Sequence, residues 1–205
     1  MEKKNIDEVR LTQDEYIRDH WIKKKIYESC GEQHHISRYK ECLVNVSGKS
    51  VLDYGCATGH AIKIMDDLSK NKYEWTGVDL SYIATGAAKK FFPQYVFYPA
   101  LSEYEIGAST NMFDSVICTE VIEHVEFPRK LVKEVCRVGR YKAIFTTPIN
   151  IIKDPTHMVV FRRLGLEKIF DSCGYEYMIY RHEYSQNNKH YVIVVYLDRK
   201  IYGKD

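Results

Sequence analysis

Glu120, Glu123, His124 and the distant His157 are the side chains of this chain best suited to moving a proton, two carboxylates and two imidazoles that titrate near neutral pH. If residues 120–124 form a helical turn, Glu120, Glu123 and His124 share one face, because positions i, i+3 and i+4 are neighbours. A strand pattern from Phe113 to Thr119 ends just before them. In open α/β sheets ligands lie beyond the carboxyl ends of the strands, so these side chains begin at a cleft. His157 falls on the loop after the next strand, Tyr141 to Thr147, which borders the same cleft. The competing structural reading has His124 paired with a backbone group and His157 tying down its loop.

A second constellation lies upstream. Val51 to Ile62 (VLDYGCATGHAI) begins as a buried strand, passes through a loop of small residues and continues into Ala61, Ile64, Met65 and Leu68 at helical spacing. Glycines at 55 and 59 allow a sharp turn and close backbone approach to a ligand, and the helix offers unpaired N–H groups at its start. Twenty residues after Gly59, Tyr73 to Ser81 reads as a second strand ending in Asp79, an acid placed to accept both hydroxyls of a ribose. Asp53, two residues before the loop, would repel a pyrophosphate but suits a cation or an amino group. The pair favours an adenosine ligand with a positive amino-acid portion over a dinucleotide.

Together, VLDYGCATGHA, GVDLS, FDSVICTEVIEHV and KAIFTTP resemble the class I S-adenosylmethionine-dependent methyltransferases, in the expected order over about Ser50 to Asp171. That resemblance implies an α/β fold, a Rossmann-like three-layer sandwich. Its mostly parallel seven-stranded sheet carries an antiparallel C-terminal strand and is preceded by N-terminal helices. It implies that Asp53, Gly55, Cys56, Ala57 and Gly59 hold the methionine part of S-adenosylmethionine, with Asp79 and Leu80 at the ribose. Ala57 stands where the family's middle glycine usually stands. The adenine-contacting acid of the family falls near Ser102, with Glu103 beside it, a departure from the pattern. Glu120 is assigned to the cofactor side of the cleft.

Methyl transfer requires in-line alignment of the nucleophile at about 3 Å and, for a hydroxyl, removal of its proton. His124 and His157 are therefore read as base and substrate-orienting group. An alternative uses Glu120, Glu123, His124 and His157 to bind one divalent ion, as the small-RNA 2′-O-methyltransferases do with a similar run; some quinone-pathway O-methyltransferases share it. Two carboxylates and two imidazoles suit Mn²⁺ or Zn²⁺ better than Mg²⁺. Three hypotheses follow. The favoured one is a metal-independent O-methyltransferase of a small molecule or glycan. The others are a metal-dependent enzyme acting on an RNA end, with Arg162 and Arg163 as the nearby basic pair, and a non-catalytic S-adenosylmethionine-binding module.

The remaining chain supplies supports. Ile83 to Phe92 reads as a helix, Tyr95 to Tyr98 as a short strand, and Pro128 opens a helix with Leu131, Val132, Val135 and Val138 on its core face, stopped at Gly139. After the fifth strand come Asp154-Pro155-Thr156-His157 and a helix closed by Gly174; Tyr175 to Arg181 and His190 to Leu197 suit an antiparallel pair. Residues 1–47 are read as a helical lid segment ahead of a 48–205 cofactor domain. Helical patterns there span Glu15 to Tyr27 and Ser37 to Val46, with a break around His34 and His35. Tyr16, Trp21 and His34 are lid candidates by resemblance. With 205 residues, 45% hydrophobic and a net charge of +2, composition fits one globular domain and leaves no polyelectrolyte signature. Six cysteines without a CxxC suggest reduced thiols in a cytoplasmic protein, and no apolar run reaches membrane-spanning length.

Overall fold

The computed structural model describes residues 6–149, 157–185 and 188–200. Asp154, Pro155 and Thr156 lie outside the described residues. At the centre is a seven-stranded sheet in the order β3-β2-β1-β4-β5-β7-β6. Its strands are β1 (Ser50–Tyr54), β2 (Glu74–Asp79), β3 (Val96–Pro99), β4 (Phe113–Thr119), β5 (Gly139–Pro148), β6 (Tyr175–Ser185) and β7 (Asn188–Lys200). β1 to β5 pair in parallel, and β7 inserts antiparallel to both β5 and β6. The expected Rossmann-like sheet with an antiparallel C-terminal strand is therefore present.

The helices are α1 (Ile6–Tyr16), α2 (Gln33–Asn45), α3 (His60–Leu68), α4 (Tyr82–Phe91), α5 (Pro128–Val138) and α6 (Arg163–Phe170). Two apolar clusters reflect the two faces of the sheet: one joins α5 and α6 to β4 and β5, the other joins α2 and α3 to β1 and β2. α5 shows how the sequence builds this layer. Pro128 starts it, and Leu131, Val132, Val135 and Val138 are fully buried, each such burial contributing about 1.5–3 kcal/mol.

The N-terminal region differs from its sequence pattern. α1 has no buried residue, and it continues through a π-helical turn, Ile17–Ile22, and a 3₁₀ turn, Ile26–Gly31. Its apolar periodicity is weak, so what holds it is polar. Arg10 donates to the carbonyls of Leu80, Ala100 and Leu101 at 3.2, 2.6 and 3.2 Å, and Asp14 accepts from the Ser81 hydroxyl and the Ile83 amide. His34 and His35 stand in the first turn of α2 rather than in a break. Tyr39 and Cys42 of α2 belong to the core beside Val51, so packing continues across the boundary drawn at residue 47. Among the described residues no helix is long and apolar enough to cross a membrane.

Candidate functional site

The carboxyl ends of β1, β2 and β4 meet along one edge of the sheet, and the sequence-selected acids lie there. Gly55, Ala57 and Gly59 all take left-handed backbone angles, with φ of 81°, 45° and 79°. Gly55 and Gly59 are needed for space as well, because a Cβ would come 2.4 Å from Val121 Cγ2 at Gly55 and 2.8 Å from the Phe97 ring at Gly59. Ala57 carries the strain of this turn, ordinarily about 1–2 kcal/mol for a residue with a Cβ. Asp79 offsets it by fixing the loop. Its Oδ2 accepts from the Ala57 amide at 2.9 Å and its Oδ1 from the Ser81 amide at 2.9 Å. Each oxygen retains a second lone pair for a hydroxyl.

Asp53 is in a different condition. It is 2% exposed and accepts no hydrogen bond among the described residues. Burial, reinforced by the charge of Asp79 and opposed by that of Arg38, pushes its carboxyl up to about 7. A buried acid without a donor, next to a glycine loop, has the chemistry to pair with an ammonium group. The cationic amino-acid end of S-adenosylmethionine fits this donor set, with Arg38 as a counter-charge for the carboxylate and Asp79 for the ribose hydroxyls.

Arg38 was not selected from the sequence. It stands on α2 and is only 6% exposed. Its Nη2 lies 2.8 Å from His35 Nδ1 and its Nη1 3.6 Å from Glu120 Oε2. Burial first, then the Arg38 charge, drives the His35 imidazole down to about 3, keeping it neutral.

Glu120, Glu123 and His124 do not share a helical face. Glu120 sits at φ 55°, outside the 3₁₀ turn Ile122–His124. It accepts from the Thr146 hydroxyl at 3.0 Å and faces Arg38 and His190 Nδ1, the latter at 3.6 Å. Glu123, His124 and His157 do come together, with ligand atoms all within 4.8 Å of one another. The two imidazole rings meet edge to face at a centroid distance of 4.8 Å. Backbone pairing brings His157 there: the amides of Met158 and Val159 both donate to the Glu123 carbonyl, at 2.8 and 3.1 Å. Glu123 itself is 1% exposed, and neither carboxylate oxygen finds a well-formed hydrogen bond among the described residues, although the Thr147 hydroxyl is near. Burial and the Glu120 charge push its pKa well above the usual carboxylate range.

The other selected residues take supporting positions. Cys56 is buried under the loop, and its amide and that of Gly55 donate to the Val78 carbonyl. Leu80 presents its carbonyl to Arg10. Ser102 is held in a tight turn with Glu105, its hydroxyl accepting from the Tyr104 amide, while Glu103 receives the Tyr54 hydroxyl on its carbonyl. Of the lid candidates, Trp21 donates to Thr58 Oγ1 at 2.9 Å within the glycine loop, whereas Tyr16 stacks on His20 and His34 pairs with Glu32.

A family model described as a methyltransferase domain matches residues 31–178. A ubiquinone biosynthesis O-methyltransferase of Coxiella burnetii (strain Dugway 5J108-111) is 30% identical over 139 residues, covering 65% of this chain and 56% of that protein. The chain thus spans little more than half the length of the curated relatives it matches. Among solved structures, magnesium protoporphyrin IX methyltransferase from Synechocystis PCC 6803 with bound S-adenosylmethionine superposes at a TM-score of 0.66 and 15% identity, covering 95% of this chain and 98% of that one. The CurJ carbon methyltransferase superposes at 0.70 and 12% identity over 89% of this chain and 60% of its own. Those likenesses carry the fold alone; the family match, the paired acids and the glycine loop carry the rest. This chain belongs to the class I S-adenosylmethionine-dependent methyltransferases.

Proposed function

We propose that the chain transfers the methyl group of S-adenosylmethionine to a hydroxyl of a small molecule, with His124 and His157 handling the acceptor proton. The observation that carries this reading is the meeting of the two imidazoles at the carboxyl end of β4, next to the cofactor edge and walled by buried Glu123. The name of the curated relatives supports a hydroxylated aromatic acceptor; the absence of a polyelectrolyte charge does not favour RNA. When bound, the cofactor supplies an electrophilic methyl on a sulfonium. The chain's own residues do the rest. Asp53 and Arg38 fix the amino-acid end, Asp79 the ribose, and one imidazole takes the hydroxyl proton while its partner orients the oxygen. Residues 6–31, tied to the loop through Trp21 and to β2 and β3 through Arg10, act as the cover over the cofactor.

A second reading rests on one specific observation. Glu123 is a buried carboxylate without a well-formed hydrogen bond, and with His124 and His157 it forms a ligand set of one oxygen and two nitrogens. That set fits Mn²⁺ or Zn²⁺, and Glu120, turned toward Arg38 and His190, is not part of it. A cation there would supply Lewis-acid activation of the acceptor oxygen.

The test is tritiated methyl transfer to hydroxylated aromatic acceptors, with and without EDTA, for the parent chain and His157→Ala. The proposal expects turnover to fall about 100- to 10,000-fold in His157→Ala with cofactor affinity within about twofold. Equal losses of turnover and affinity would overturn the assigned role. Chelator-sensitive turnover, with a thermal shift on adding Mn²⁺ that Glu123→Gln removes, would select the second reading.

A further inference from the structure

At the side of the sheet opposite the cleft, Cys136 lies in the last turn of α5 and Cys173 ends the 3₁₀ turn Asp171–Cys173. The two residues are remote in sequence, and the Cys173 thiol, which donates to the Ile169 carbonyl at 3.8 Å, is close enough to Cys136 for each to shift the other's acidity. Both line a cavity of about 390 Å³ with Lys133, Arg137, Arg140 and Tyr175. Cys136 is buried and Cys173 is partly exposed, whereas Cys30, Cys42, Cys56 and Cys118 are all buried.

The charges facing the pair are mainly positive. Arg137 is neutralised by Glu134 at 2.7 Å and Arg140 faces Asp114 at 3.5 Å, while Lys133 makes no ion pair among the described residues. The neighbouring Cys136 thiol, then Lys133, Ser172 and Arg129, hold the Cys173 thiol below its ordinary range against the opposing effect of burial. The same closeness, with burial, raises Cys136 well above its own. An electropositive, accessible thiol next to a second, protonated thiol is the arrangement of an attacking and a resolving cysteine.

We infer that Cys136 and Cys173 form a thiol–disulfide exchange site for an anionic low-molecular-weight disulfide. The Cys173 thiolate attacks one sulfur of R–S–S–R, the S–S bond breaks, and the first RS⁻ leaves and takes up the proton that Cys173 lost. Cys136 then gives up its proton and attacks the Cys173 sulfur, expelling the second RS⁻, which takes that proton. Two protein thiols become one disulfide and R–S–S–R becomes two R–SH.

The experiment exposes the reduced, folded chain to oxidised glutathione and, separately, to the neutral disulfide of 2-mercaptoethanol. Exchange is followed by intact mass and by alkylation mapping. The expected result is loss of two hydrogens, protection of Cys136 and Cys173 alone, and attack by the anionic disulfide that is about tenfold faster than on the unfolded chain and is slowed by salt. Cys136→Ser should stop at a glutathione adduct on Cys173, and Cys173→Ser should leave Cys136 unreacted. A wild-type chain that accumulates the adduct without closing the disulfide would overturn the inference. So would a Cys173 that reacts no faster than when unfolded, or a Cys136 that reacts equally in Cys173→Ser.

Discussion

Asp79 and Asp53 stand at the ends of adjacent parallel strands, yet they are held differently. Asp79 already accepts two backbone amides, so it ties down the glycine loop. Asp53 accepts no hydrogen bond among the described residues and is pushed up to about 7 by burial. Glu123 repeats the condition of Asp53 at the acceptor end of the cleft. Burial raises both carboxyls, but at Asp79 the Ser81 and Ala57 amides oppose it, whereas at Asp53 only the Arg38 charge does. An acid of the second kind costs stability until a ligand arrives, which is the usual trade at a functional site.

The largest expected effect of breaking this contrast is at Asp53. Asp53→Asn should weaken S-adenosylmethionine binding at least about 100-fold in calorimetry, because the ammonium loses its charge partner. The same change should raise the melting temperature of the ligand-free chain near pH 8 by several degrees, since about 2 kcal/mol of charge burial is relieved. Asp79→Ala should move both quantities downward together. It removes the ribose acceptor and two charge-assisted hydrogen bonds, worth about 1.5–3 kcal/mol each, so affinity and melting temperature both fall.

The pH dependence sharpens the same comparison. Asp53 has its folded value raised, so the native state holds a proton that the unfolded chain has lost between about pH 4 and 7. Its contribution is present at low pH and is lost as pH rises through 7. His35, with its folded value lowered to about 3, has the opposite sign: its contribution is present above the unfolded imidazole value of about 6.5 and is lost as pH falls toward 3. Denaturant titrations should show the high-pH loss reduced in Asp53→Asn and the low-pH loss reduced in His35→Gln. The smallest effect belongs to Trp21→Phe, which deletes one hydrogen bond to Thr58. It should cost about 1 kcal/mol and weaken cofactor affinity about fivefold if residues 6–31 cover the site.

The legible parts of this fold were those written in periodic apolar patterns or fixed by backbone demands. β4 and α5 fall where the alternation and the Pro128 and Gly139 signals put them, and the loop glycines sit at positive φ as close approach requires. The N-terminal α1 carried no such signal, because Arg10 and Asp14 attach it through carbonyls and a hydroxyl rather than through buried side chains. Arg38 was hidden for a related reason: an arginine on a half-polar helix looks solvated until the sheet it packs on is in place. At Glu120 the helical-spacing argument failed because that residue takes a left-handed angle, which separates it from Glu123 and His124. His157 was legible as a residue bordering the cleft, but its neighbour was chosen by the paired amides of Met158 and Val159, a tertiary contact that no local pattern encodes.

The central claim is that Asp53 is a buried acid awaiting the ammonium of S-adenosylmethionine. Calorimetric titration at pH 6 in buffers of different ionisation enthalpy tests it directly, by counting protons released on binding. With a carboxyl at about 7, the account predicts release of about one proton per cofactor in the parent chain and none in Asp53→Asn. Binding without proton release, or release that persists unchanged in Asp53→Asn, would contradict it.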